Sequence, residues 1–208
     1  YATSPLQNLG PTPDKKTGTS ITFKPDPEMF GDLKFSYEVL CDRFREIAYL
    51  NRGLAVSLHD ERETPARGEV YKFDGGIAEY VEWLNTGQTV EHPPIYIKKE
   101  VEHSTDGGGL MISTEVALQY TAGEEKIERC FTNGAFNPIG GTHLSGFRSG
   151  LTKALNAYGK KEGHFKEGLE VRGEDFREGL TVVISVGHPD PVFESQTKVR
   201  LNNPEMEG

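Results

Sequence analysis

The sequence predicts a mixed α/β (α+β) fold. Helical and strand-like stretches alternate along a chain of 208 residues, long enough for one sizeable domain or one domain plus a small appendage. One run, "LTVVISVGH" (180–188), is apolar on both faces and needs cover on both sides, as a central strand does. No Gly-rich dinucleotide-binding pattern accompanies the strands, which leaves the class at α/β or α+β.

The elements follow in order. Residues 1–18, rich in Pro, Thr, Gly and Lys, read as extended and loop-like, with one short strand at 5–9. "TSITFKPD" (19–26) alternates and stops at Pro25, which predicts a strand. Over 35–51, Val39, Leu40, Phe44, Ile47, Ala48 and Leu50 recur at helical spacing behind Ser36 as N-cap. Strands at 53–61 and 68–76 flank a polar turn. A second helix follows over 76–87, with Ile77, Tyr80, Val81 and Leu84 on one face and Gly87 at its end. Three strands are expected at 94–101, 110–120 and 126–132. "EHSTDGGG" between the first two is a flexible turn, and 131–143 a long Gly/Asn/Pro loop. The longest helix spans 142–161, with Thr142 as N-cap and Leu144, Phe147, Leu151, Leu155 and Tyr158 as its apolar stripe. A helical turn at 173–179 leads into the central strand.

Composition limits the function. With 35% apolar and 26% charged residues a soluble globular protein is the default expectation. A net charge of -9 argues against a free-standing nucleic-acid binder, though local basic patches remain possible. Two cysteines, Cys41 and Cys130, give no disulfide framework and fit a reducing compartment. No apolar run approaches a membrane span, and no signal peptide is expected. No pair among the six histidines has metal-site spacing on a helix or hairpin, so no metal site is expected. "TDGGG" lacks the GxxxxGK[ST] pattern and reads as a hairpin turn.

Three features invite a functional reading. Gly140-Gly141-Thr142 opens a helix whose N-terminus favours anions, but a plain tight turn into the helix is the reading preferred for ligand binding. Lys153 and Lys160 fall opposite the apolar stripe with Arg148 at its flank, either a solvated basic face or a surface for a polyanion. After the buried strand, the Pro-bracketed turn "HPDPVF" leads to Gln196-Thr197-Lys198. These residues are either a helix start with a surface lysine or a point charge aimed at a phosphate.

The blocks "TGTSITFKPDPEMF", "FREIAYLNRGLAVSLHDER", "FDGGIAEYVEWLN", "GGTHLSGFRSGLTKALNAY" and "REGLTVVISVGHPDPVFESQTKVRL" occur in this order over essentially the whole chain. Together they closely resemble the B subunit of bacterial DNA gyrase, a type IIA topoisomerase. The topoisomerase IV B subunit is the near relative.

The resemblance implies a fragment. Residues 1–27 would be the last strands of a GHKL-type ATPase domain. Residues 28–208 would be the transducer domain, similar to domain 2 of ribosomal protein S5, with a mixed sheet and a left-handed βαβ crossover. Gln196 and Lys198 match the residues that reach the γ-phosphate of ATP. Gly18 and Thr19 match the floor of the adenine pocket, where aminocoumarins also bind. Arg148, and by extension Lys153 and Lys160, face the cavity for the transported DNA segment. The resemblance further implies ATP and Mg2+ in the full-length protein, double-stranded DNA and the gyrase A subunit (in an A2B2 tetramer) as partners, and the bacterial cytoplasm as location. The Mg2+-holding asparagine, the general base and the glycine-rich lid would precede Tyr1. The fragment is therefore expected to be monomeric, nucleotide-free and inactive by itself. Two alternatives stand beside this reading: an S5-like nucleic-acid-binding module, and a scaffold in which "QTK" is incidental.

Overall fold

A computed structural model describes residues 7, 10, 19, 21–105, 108–166, 168–169 and 171–207. The expected strand at 5–9 lies outside the described residues, save Gln7. The chain divides into two compact units, Tyr1–Ser36 and Tyr37–Gly208.

In the first unit the described element is a single helical turn, α1 (Pro27–Phe30). Asp26 caps it, its carboxylate accepting the Glu28 backbone N–H at 2.9 Å, and Pro27 presets the first helical φ. Phe23 and Phe35 meet edge to face at 6.3 Å. The strand expected at 19–26 is not formed over the described residues 21–26, where Ile21 and Phe23 are exposed. Alternation chooses a face to bury, but a strand also needs a paired neighbour for its backbone groups.

The second unit opens with α2 (Tyr37–Leu50), directly after Ser36. Its buried residues are Cys41, Ala48 and Tyr49, whereas Val39, expected on the apolar face, is exposed. Strands β1 (Val56–Asp60) and β2 (Arg67–Tyr71) form an antiparallel hairpin from Val56↔Tyr71 to Asp60↔Arg67. Helix α3 (Ile77–Leu84) buries Ile77, Tyr80 and Val81.

Strands β3 (Ile95–Thr105), β4 (Gly108–Tyr120), β5 (Ile127–Thr132), β6 (Ala135–Phe136) and β7 (Leu180–Gly187) build one mixed sheet in the order β3-β4-β7-β5-β6. β7 pairs antiparallel with β4 and parallel with β5, and α4 (Thr142–Lys161) lies on the crossover between the parallel pair.

The both-faces-apolar reading of β7 is thereby explained. Val182, Ile184 and Val186 join Leu144, Phe147 and Leu151 of α4 on one face. Val183 joins Tyr49, Ile77, Tyr80 and Val81 from α2 and α3 on the other. All four β7 residues are at most 1% exposed, and each buried aliphatic side chain contributes about 1.5–3 kcal/mol. Tyr158, expected to continue the α4 stripe, is instead exposed and packs beside His164. The last turns of α4 pack instead against the segment that follows them: Asn156 bonds Val171 and Gly159 lies buried against the Phe165 ring.

A polar chain runs through the α3 side of the core. Thr181 donates to the Asn85 side-chain carbonyl at 2.7 Å, Asn85 donates to Gln119 at 2.7 Å, and Gln119 donates to the His92 carbonyl at 2.8 Å. Asn85, Gln119 and Thr181 are buried, and each is satisfied.

Candidate functional site

The region after β7 is a hairpin sewn to the sheet. Its mount begins at His188, whose backbone is clamped by one side chain. Asn133 accepts the His188 N–H at 2.9 Å and donates to its carbonyl at 2.7 Å. The imidazole is buried, with Nδ1 accepting from the Asp190 N–H at 3.1 Å. That acceptor role puts the proton on Nε2, which donates to Glu205 at 2.9 Å. Asn203 ties the two ends of the hairpin: its oxygen accepts the Val192 N–H at 2.6 Å and its amide donates to Asp190 O and Glu205. The Glu205 backbone N–H and the Asn203 amide hold the Glu205 carboxyl below its ordinary range.

From this mount the chain turns back on itself. Phe193 bridges to Leu201, Glu194 N–H donates to Arg200 O at 3.1 Å, and Lys198 N–H closes a turn onto Ser195 O at 3.0 Å. No helix starts at Gln196, because the chain is in a turn at the tip of a hairpin. The returning arm is stitched to the loop before α4. Ile139 N–H donates to Val199 O at 3.1 Å, Leu201 N–H to Gly140 O at 3.0 Å and Thr142 N–H to Leu201 O at 3.0 Å.

The Leu201 carbonyl therefore occupies the N-terminus of α4. Gly141, not Thr142, is the N-cap, and it makes no side-chain cap bond. Its φ is 137°, and a Cβ there would collide with the Leu201 backbone. The Gly140-Gly141 pair serves close packing rather than an anion.

Lys198 is one of two described non-glycine residues at positive φ, 57°. That conformation costs a non-glycine residue about 1–2 kcal/mol. Its neighbours impose it: the turn fixes its N–H, and the buried Asn137 amide donates to its carbonyl at 2.7 Å. The side chain is exposed, with Nζ 5.6 Å from the Phe193 ring centroid. Gln196 shares the tip and is exposed. The hairpin tip thus carries Gln196 and Lys198, both exposed and two residues apart in sequence, on a mount pinned by hydrogen bonds.

The other expected site residues lie elsewhere. Thr19, in the first unit, is exposed, and Gly18 lies outside the described residues. On α4, Arg148 is turned toward β5: Nε donates to Glu128 Oε1 at 2.9 Å while Nη2 grips Oε2. Hydrogen bonding to Glu128 pushes the Arg148 pKa further up. Lys153 and Lys160 are exposed and seven residues apart, close to one helix face, while Arg148 stands about 140° from Lys153 by the helical period. Among the described residues no three His, Cys, Asp or Glu side chains gather as metal ligands. No helix of the described residues is long and apolar enough to cross a membrane.

The supporting asparagines were not singled out in the sequence. Asn133-Gly134 carried a usable signal. Both have positive φ, 49° and 74°, and they close the two-residue hairpin Thr132↔Ala135, the conformation that Asn-Gly favours. Asn137 carries none for its bond to Lys198, 61 residues away, and no local pattern marks the bonds of Asn203 across the hairpin to Val192 and Asp190.

This mixed sheet, covered by helices on both faces and followed by a C-terminal hairpin, is shared with solved gyrase B structures. The 43K ATPase domain of Thermus thermophilus gyrase B, solved with an aminocoumarin, is 36% identical with a TM-score of 0.71, covering 89% of this chain and 48% of that one. The gyrase B protein of Myxococcus xanthus is 27% identical with a TM-score of 0.67, over 88% of this chain and 49% of that one. The family model for DNA gyrase B matches residues 76–208, and the chain belongs to that family. The DNA gyrase B protein of Archaeoglobus fulgidus is 46% identical over 95% of the chain, and that of Clostridium acetobutylicum 40% over 99%. The chain spans only 29% and 31% of the length of these two relatives.

Proposed function

We propose that the chain is the transducer portion of an ATP-dependent type II topoisomerase of the gyrase kind. Residues 1–27 are the closing segment of its ATPase domain and residues 28–208 the transducer. In this reading the hairpin tip carries Gln196 and Lys198 to the γ-phosphate of an ATP–Mg2+ complex held by the preceding domain, with Gly18 and Thr19 beneath the adenine. ATP is the substrate, double-stranded DNA and the gyrase A protein are the partners, and the bacterial cytoplasm is the setting.

The observation that carries the reading is Lys198: a strained residue whose backbone is pinned on both sides and whose ammonium is exposed. Strain that the surroundings impose on an exposed cation is expected where the cation has a fixed target. A preorganised positive charge stabilises the charge that develops as the γ-phosphoryl group transfers. The amide of Gln196 adds a hydrogen bond. Because these groups sit on a different domain from the nucleotide, they reach it in one relative orientation of the two domains. A charge-assisted hydrogen bond contributes about 1.5–3 kcal/mol, enough to bias that orientation by one to two decades. Losing the γ-phosphate removes the tie and frees the transducer, so nucleotide state becomes gate movement. Arg148, Lys153 and Lys160 are assigned to the DNA cavity, Arg148 sharing its charge with Glu128.

Energy transfer between dyes tests the coupling in the full-length protein. One dye is placed on the ATPase domain and one at Val39→Cys, an exposed position on α2. The buried native thiols Cys41 and Cys130 should react poorly, and burial pushes the Cys130 thiol up to about 12. A nonhydrolysable triphosphate should narrow the distance distribution relative to ADP, and Lys198→Ala should abolish the difference. A difference that survives Lys198→Ala refutes the assignment.

A further inference from the structure

We propose that Asn137 is the positioning residue for Lys198, and that Thr132 orients it; the proposal rests on the assignment of Lys198 to the γ-phosphate. Asn137 lies in the loop before α4 and is 1% exposed. Its Nδ2 donates to the Lys198 carbonyl at 2.7 Å, and its Oδ1 meets Thr132 Oγ1 at 2.7 Å. Its own N–H donates to Cys130 O at 2.8 Å, which anchors it to the end of β5.

The chemistry fixes which way the amide points. A backbone carbonyl only accepts, so the NH2 group of Asn137 must face Lys198 and its oxygen must face Thr132. The Thr132 hydroxyl, itself fully buried, then donates. One peptide group beside the Lys198 Cα is held by Asn137 and the other by the turn onto Ser195. With both flanking peptides pinned, the left-handed backbone and the direction of the Lys198 side chain are set from inside the domain. Without Asn137 the carbonyl is free to rotate, the turn can relax to negative φ, and the ammonium leaves its aim. A displacement of this kind lowers turnover far more than nucleotide binding.

The test is ATP turnover with DNA present in the full-length protein, for native, Asn137→Ala, Lys198→Ala and the double variant. Asn137→Ala should lower kcat about tenfold with little change in KM, the scale of one lost buried hydrogen bond. The double variant should be no slower than Lys198→Ala alone, because Asn137 acts only through that lysine. Thr132→Val, of equal size but lacking the hydroxyl, should lower kcat in the same direction by about threefold. It decides the matter if Asn137→Ala does not fold. A folded Asn137→Ala or Thr132→Val with native kcat overturns the proposal while leaving the role of Lys198 intact, and so does an additive double variant. If Lys198→Ala itself turns over normally, the functional assignment fails and the proposal falls with it.

Discussion

Arg148 of α4 holds both carboxylate oxygens of Glu128 on β5, so the helix and the sheet share one bidentate ion pair. The Glu128 side chain is 11% exposed and that of Arg148 36%. Removing the arginine leaves a nearly buried carboxylate with only the half-exposed Lys126 ammonium, 3.8 Å from Oε2, as its cation. Arg148→Ala should therefore destabilise the domain by about 1–2 kcal/mol, read as a lower denaturation midpoint. Glu128→Gln should instead release positive charge into the assigned DNA cavity. In the full-length protein, DNA affinity should rise and become more salt-dependent. An unchanged affinity would place Arg148 outside the DNA path.

Gly141→Ala should be among the most damaging single substitutions. The new methyl meets the Leu201 backbone, not a flexible side-chain end, and the φ of 137° disfavours any L-residue. Neither side of the contact can move freely, since Leu201 is fully buried and bonded to Gly140 and Thr142. A loss of about 3 kcal/mol or more is expected. Amide exchange should show the hairpin at 193–201 opening first.

His143 gives the fold an acid limit. It is 3% exposed, neither ring nitrogen has a hydrogen-bond partner among the described residues, and burial pushes its pKa down to about 4. The folded form therefore binds fewer protons than the unfolded form between pH 6.5, the ordinary value, and about 4. Stability is full above pH 6.5 and falls as pH drops through that window, by about 3 kcal/mol at most. Glu205, held below its ordinary range by the Glu205 N–H and Asn203, adds a further loss at lower pH. Denaturant melts at about pH 7 and about pH 4.5 should differ accordingly. His143→Phe should flatten the dependence over the upper window.

Gln119→Leu removes one member of the buried chain Thr181–Asn85–Gln119 and leaves the Asn85 amide without its acceptor. The cost should be about 1–3 kcal/mol, because a buried donor without a partner forfeits its desolvation energy. Replacing Asn85 and Gln119 together by Leu should cost less than the sum of the single changes.

What could be read from the sequence follows from what each element depends on. β7 and the first turns of α4 are legible because their apolar patterns decide which faces they bury, up to Leu151 but not as far as Tyr158. The hairpin tip was legible as a candidate only through its residue types and their resemblance to a family. Its conformation was not. The left-handed backbone of Lys198 is imposed by Asn137, 61 residues away, and the N-terminus of α4 is filled by Leu201, 59 residues from Thr142. No local pattern reports such pairings. The strand expected at 19–26 is not formed over the described residues 21–26 for the related reason that alternation does not supply a partner. Arg148 read as a surface cation because its counter-ion, Glu128, lies on another element.

The central claim is that Lys198 touches the γ-phosphate. It is tested most directly by ATP turnover, with DNA present, in the full-length protein, comparing native with Lys198→Ala. The account predicts a fall on the order of a hundredfold with nucleotide binding little changed, the scale of losing one preorganised transition-state donor. Unchanged turnover would contradict it. Lys198 would then be a surface lysine on a strained turn, and the link between ATP and the DNA gate would have to run through another contact.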